Sequence, residues 1–480
     1  MMRKLLLFIV GFSPFFLQAQ EPAKFVTNDT TLQQSYDWAV KMALHYRGNP
    51  SDPAGPWYEA ALPSRDAYCM RDVAHQTIGA AICGMNKENK NMLSSFVRNI
   101  SESKDWCSYW EINKYGKPAP EDYRNDREFW YNLNANFDII YACWKLYQWT
   151  GDKTYISDPA FTAFFRKTTE EYTRKWLLQP ESIMTRPLHP NAPEPFNEQD
   201  YFHRCRGLAS YVENVGDLKV GIDLMATIYR GMLSYAFIHA ENGDTAAAAV
   251  YRKKAEDYRQ LMEGQWWNAA GNRYYTYYTG AGKFGNGEGE MFLLWFDALQ
   301  DAARRKATVE HLLQSKWNVE TMSYMPVILF REGYWQQALD YIRLLSNPAT
   351  ERRQYPEVSF GVVEGIVRGL MGITPDADNN RITTLYRGSN TTTASLSDLQ
   401  LLGTTISLQH TSSFTILKNQ GKRDVLWRAT FVGNYKTIKV GNALLKAQQI
   451  TDNNGHILSF VDIPVGHGKS VKAMLQKSSV

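Results

Sequence analysis

Five cysteines in 480 residues are too few and too scattered for a disulfide scaffold, and Cys69, Cys83, Cys107, Cys143 and Cys205 make an odd set. None stands in a CxxC pair or beside clustered histidines, which argues against a zinc site. Buried free thiols are the expected state, and at most a single bridge would suit an oxidising compartment. The net charge is only +4 with both signs well mixed, so there is no electrostatic footprint for nucleic acid. Beyond the N-terminus no apolar run is long enough to span a bilayer. The Gly-rich stretch "GAGKFGNGEGE" lacks the Gly-Lys-Ser/Thr ending of a phosphate loop and is acidic. It ends in Glu288 and Glu290 at a helix start and reads as a mobile rim segment. No motif asks for a cofactor or a metal.

What the chain does have begins with "MMRKLLLFIVGFSPFFLQAQ": a basic start, a short apolar core and a small-residue exit. Residues 1–20 read as a secretory signal, so the expected location is periplasmic or secreted. No Cys follows the signal, which argues against a lipoprotein. Aromatic content is heavy at 13%, with 14 Trp and 28 Tyr. Many of these rings fall in loops, where their planes can stack on the apolar faces of sugars.

Helical periods dominate from about residue 30 to 373. Twelve are expected, near 30–46, 70–84, 90–103, 127–149, 158–177, 218–242, 245–264, 289–304, 306–316, 320–331, 334–346 and 357–372. That number in about 350 residues, joined by alternately short and long connections, is the pattern of six helical hairpins closed into a ring. The expected fold is therefore an (α/α)6 toroid over 21–375, with the unusual residues of the long loops gathered on one rim. After "TPDADNNRI" the pattern changes to Thr/Val/Ile-rich alternation bounded by Gly and Asn turns, the signature of a small β-sandwich over 380–480. Its expected role is to support the helices.

Three stretches carry candidate chemistry. In "YPEVSFGVVEGIVRGLMGI" (355–373) two carboxylates interrupt an apolar helix. Glu357 lies in the first turn, where free N–H groups and the helix dipole favour an ionised carboxylate. Glu364 lies two turns deeper, with Arg368 four residues on as its natural partner, and reads as a brace. In "LPSRDAYCMRDVAHQTIGAA", Arg65, Asp66, Arg71, Asp72 and His75 crowd the start of a helix. Arg offers paired donors and Asp paired acceptors, a combination that grips vicinal hydroxyls. Arg65–Asp66 reads as a network pinning the helix end, whereas Asp72 reads as part of a sugar pocket. The third stretch runs from Asp105 to Asp138 and interleaves rings with hydrogen-bonding groups. It reads as a pocket wall, with Trp110 or Trp130 as the stacking platform and Glu111 and Asp126 as polar contacts.

Residues 220–278 resemble the central part of the (α/α)6-barrel glycosidases: trehalases, processing α-glucosidases, mannosylglycerate hydrolases and the glucosidase half of debranching enzymes. The blocks that carry the resemblance are Asp223-Leu224, Trp266-Trp267-Asn268, Gly271 and Tyr274 to Tyr278. "EGIVRGLMGITPDADNNRI" is similar to the end of such barrels, and Arg71-Asp72 resembles a Gly-Arg-Asp of their sugar pocket. The resemblance implies inverting hydrolysis of an oligosaccharide or glycan end by two carboxylic groups about 6.5–9.5 Å apart. It places the acid in the loop before the Asp-Leu helix, where Glu194, Glu198, Asp200, Glu213 and Asp217 stand. It places the base near the last helices, where Glu351, Glu357 and Glu364 stand. Glu213, preceded by Ala209, Tyr211 and Val212, is the leading acid, Asp200 the second choice, and Glu357 the leading base. The Trp-Asp-Phe-Ser block that carries the acid in trehalases is missing. Alternatives are a uronate lyase using His189, Tyr201 and His203 with Arg204 and Arg206, and a non-catalytic glycan-binding protein.

Overall fold

The computed structural model describes residues 20–212 and 215–476; the signal expected over residues 1–20 falls, up to Gln20, outside the described residues, as does Glu213. Among these residues are twelve α-helices of five residues or more. They are α1 (Thr30–His45), α2 (Met70–Ile82), α3 (Asn86–Arg98), α4 (Ala135–Thr150), α5 (Pro159–Lys167) and α6 (Ile222–Glu241). Then follow α7 (Thr245–Gln265), α8 (Met291–Trp295), α9 (Ala302–Gln314), α10 (Val319–Arg331), α11 (Trp335–Ser346) and α12 (Pro356–Glu364).

Their packing follows from their side-chain patterns. In α2, "MRDVAHQTIGAAI", every residue except Arg71 and Asp72 is buried, so this helix must be covered on all sides. Most of α6 is buried as well. Helix α11 buries only Ala338, Leu339, Ile342 and Leu345 and turns its polar stripe outward. Contacts run from α2 to α4, α4 to α6, α6 to α8, α8 to α10, α10 to α12, and from α12 back to α2. Around that circuit α1 lies on α12, α3 on α2, α7 on α6, α9 on α8 and α11 on α10.

Two expected helices are shorter than their periodicity. Helix α8 stops at Trp295, because Asp297 takes a left-handed φ of 53° and Asp301 caps α9 through the Arg304 N–H at 2.9 Å. Helix α4 starts at Ala135 rather than near 127, because Glu128–Phe129 and Tyr131–Asn132 are short strands. The last helix continues past Glu364 as a π-helical turn, Gly365–Leu370.

From Thr374 onward the chain forms two sheets. One five-stranded sheet is built from Thr374–Asp376, Arg381–Leu385, Val425–Val432, Ile457–Val465 and Gln448–Thr451 in that spatial order. The other, of seven strands, has at its edge β1 (Lys24–Thr27), which pairs antiparallel with Ala394–Leu401. The segment before α1 is thus stitched to the far end of the chain. The helices and sheets meet through Trp335 stacked on His456 at 4.3 Å, Asn453 donating to Glu332 at 3.1 Å, and Arg387 donating to the Gly369 carbonyl at 2.7 Å. No described helix is long and apolar enough to cross a membrane. All five cysteines are buried and unbridged.

Candidate active site

A cavity of about 460 Å³ opens where the start of α2, the start of α12 and the long loops converge. Short β-ladders assemble it. Strand β2 (Ala67–Cys69) pairs with β3 (Glu111–Asn113), Cys69 opposite Glu111, and the Met70 N–H donates to the Trp110 carbonyl at 2.8 Å. This fixes Arg71 and Asp72 beside Trp110 and Glu111. A second ladder, Tyr131–Asn132 against Arg206–Leu208, swings the following loop inward so that Tyr211 lines the cavity with Trp130. Trp110 and Trp130 pack edge-on with centroids 4.3 Å apart and form an aromatic wall. Proline at the first position of α12 starts the helix whose first turn brings Glu357 into the lining.

Six carboxylates line the cavity, and guanidinium groups hold most of them. Arg71 pairs with Asp72 at 3.1 Å and with Glu320 at 3.7 Å. Arg65 pairs with Glu111 at 2.6 Å and with Asp122 at 3.3 Å. Arg65 therefore serves the cavity rather than Asp66, which turns to Lys114 at 2.6 Å. Glu288 from the Gly-rich loop reaches Asn318 on the rim.

Burial pushes the Glu111 carboxyl up to about 9, helped by the neighbouring Asp122 and opposed by Arg65. Glu357 is half-buried by surface area, yet protein surrounds its carboxyl. That desolvation, with the charges of Asp72 and Glu320, holds its proton affinity well above the carboxylate range. The helix N-terminus and Arg71 pull the other way and lose. The first-turn position alone suggests an ionised group; the surroundings reverse it.

Beneath this lining lies a buried polar web. His75 Nδ1 is 2.6 Å from the Tyr324 hydroxyl, and its Nε2 is 3.1 Å from Asp138. Asp138 also accepts from the Tyr211 hydroxyl, and the Tyr211 ring lies 5.1 Å under the Arg71 guanidinium. Asp223, in the first turn of α6, accepts from the Tyr211 N–H at 2.6 Å, Ser210 Oγ at 2.8 Å and Asn134 Nδ2 at 3.0 Å. A fully buried carboxylate thereby clamps the loop that delivers Tyr211.

Of the residues singled out in the sequence, Arg65, Arg71, Asp72, Trp110, Glu111, Trp130, Glu288 and Glu357 come together at the cavity, as does Tyr201 of the lyase alternative. His75 lies just below it. Glu364 is buried against Arg368 at 2.5 Å, in the bracing position. Asp200 is not brought there: it caps a short helix through the Phe202 N–H and pairs with Arg124 at 3.0 Å. Asp126 is not brought there either; it accepts from Ser103 and Tyr123 near Lys104. Sequence reasoning missed Glu320, Asp122, Asp138 and Tyr324. Asp138 carried a signal, being an acid within the apolar "ANFDIIYACW" helix.

No protein-family model and no curated protein matches the chain. Solved structures do. The alpha-L-rhamnosidase from Dictyoglumus thermophilum aligns over 95% of this chain and 51% of its own length, with a TM-score of 0.63 and 14% identity. The GH78 family rhamnosidase of Bacillus sp. GL1 aligns over 83% and 40%, with a TM-score of 0.58 and 11% identity. A putative kojibiose phosphorylase from the human microbiome aligns over 93% and 68%, with a TM-score of 0.53 and 8% identity. The chain spans about half or less of the two rhamnosidases' length. At these identities the likeness is one of fold: the chain shares the fold of these solved structures over most of its length.

Proposed function

We propose that this protein is a secreted or periplasmic glycoside hydrolase that cleaves an oligosaccharide or glycan end with inversion. Its helical circuit closes as an (α/α)6 toroid over 21–375, followed by a small β-sandwich over 380–480. The observation that carries the reading is the carboxylate cluster around Arg71, facing a tryptophan wall inside a cavity large enough for a sugar ring. The fold shared with rhamnosidases supports it.

Hydrolysis needs one carboxyl that keeps its proton and one that gives it up. Glu357, protonated by burial beside Asp72 and Glu320, fits the donor to the leaving oxygen. This reverses the role suggested by its place on the helix. The base then deprotonates water from the other face of the ring. Its candidates are Asp72, ion-paired to Arg71, and Glu213, which follows the cavity-lining Tyr211 by two residues in the sequence. Trp110 and Trp130 supply the stacking surface, and Arg71 binds hydroxyls.

Less supports the uronate lyase. His203 is engaged with Glu128 at 3.1 Å and Arg206 is buried on Asp105 at 2.7 Å, away from the cavity. In the cavity lining Arg65 and Arg71 already face carboxylates, and the six carboxylates there outnumber Arg65, Arg71 and Arg352, which disfavours an anionic sugar.

The test uses aryl and alkyl glycosides with proton NMR of the first-formed anomer. Glu357→Gln should lose turnover of alkyl glycosides yet keep much of it on 2,4-dinitrophenyl glycosides, whose leaving group needs no proton. Equal loss on both would remove Glu357 from the donor role. An unsaturated, ultraviolet-absorbing product would favour the lyase.

A further inference from the structure

We propose that Gln76 holds a water molecule behind Asp72 and Glu357, and that this water fixes the Glu357 carboxyl in its working orientation; the second half rests on the glycosidase reading. Gln76 stands one turn along α2 from Asp72 and is 4% exposed. Neither its Oε1 nor its Nε2 has a hydrogen-bond partner in the protein, a condition buried amides avoid. It lines a cavity of about 20 Å³ together with Asp72, Glu357 and Glu364. That volume suits one water, and the surrounding polar groups can hold it. Of the other groups there, Ser323 Oγ donates to the Glu320 carbonyl at 2.6 Å and Arg368 engages Glu364, while the buried Trp295 indole N–H also lacks a protein partner and is a second donor for the water. A water accepting from Gln76 Nε2 and donating to Glu357 would satisfy the amide N–H and hold the carboxyl from behind.

Other charged or titratable groups facing Glu357 are Arg71, Asp72 and His75 on α2, Glu320 and Tyr324 on α10, Tyr46 at the end of α1, and Arg352 and Tyr355 before α12. Gln76 is thus a neutral contact within a charged set. Removing it should disturb Glu357 without altering the net charge.

The experiment is a high-resolution crystal structure of the full chain, with Gln76→Met and Gln76→Glu as variants. Wild type should show an ordered water about 2.9 Å from Gln76 Nε2. Gln76→Met should lose the water, with kcat down about tenfold, KM nearly unchanged and the alkaline limb of kcat/KM displaced. Gln76→Glu, which exchanges the donating amide N–H for an acceptor among Asp72, Glu357 and Glu364, should likewise lose the water and most of kcat. No ordered water in wild type overturns the proposal even if Gln76→Met fails to fold. A Gln76→Met enzyme with wild-type kcat and pH profile overturns the positioning role. If the water is present but wild type cleaves no glycoside, the functional reading falls and only the water site stands.

Discussion

At Glu357 a favourable helix terminus and an unfavourable burial compete, and burial beside Asp72 and Glu320 prevails. The sequence displays the first of these effects, because Pro356 and the apolar period mark the helix start. The second comes from α2 and α10, which only the folded chain brings alongside. Glu357→Gln should therefore cost about 10²–10⁴ in kcat/KM on substrates with poor leaving groups, measured by reducing-sugar release. Wild-type activity should persist through neutral pH and fall on the alkaline side, as the raised proton affinity requires. Glu111 adds a stability effect of definite sign. Its folded pKa of about 9 lies above the unfolded carboxylate value, so the unfolded state sheds its proton first. Stability is then fully present below the unfolded pKa and lost as pH rises toward 9. Thermal melts should show the Glu111→Gln variant gaining on wild type between pH 5 and 9, and a constant difference would refute this.

Periodicity made the helices legible, since twelve apolar stripes at helical spacing leave few other arrangements. It could not show where α8 ends, because Phe296, Ala298 and Leu299 stay buried beyond the helix and only the exposed left-handed turn at Asp297 breaks the pattern. Nor could it show the pairing of Ala67–Cys69 with Glu111–Asn113, two three-residue strands too short to carry an alternation. That ladder explains why Glu111 belongs to the cavity while Asp126, from the same aromatic loop, does not. The clamp at the start of α6 is equally local. Asp223→Ala strands three buried donors at about 1–3 kcal/mol each, less what rearrangement recovers. Denaturant unfolding should show a loss of about 2–5 kcal/mol, with activity falling further than stability explains because Tyr211 is released. Unchanged activity in a folded variant would deny that this loop serves the site.

Across the whole molecule, composition and patterning separated a helical region from a strand-rich one, but gave no hint that Lys24–Thr27 would complete a sheet built mainly from residues beyond 390. Four residues alternating as "KFVT" are indistinguishable from a loop until the partner strand is known. Deleting residues 20–28 should expose the Ala394–Leu401 edge, lower the melting temperature and promote aggregation, as followed by calorimetry and light scattering. A variant that melts like wild type would make this strand an ornament. The central claim concerns the cavity, where α2, α12 and the long loops gather carboxylates over a tryptophan wall. Its most direct test is release of free sugar from a panel of neutral glycosides by wild type and Glu357→Gln, with matched circular dichroism. The expected result is release by wild type and near-complete loss in the variant on alkyl glycosides; equal release by both, or none by wild type on any glycoside, would contradict it.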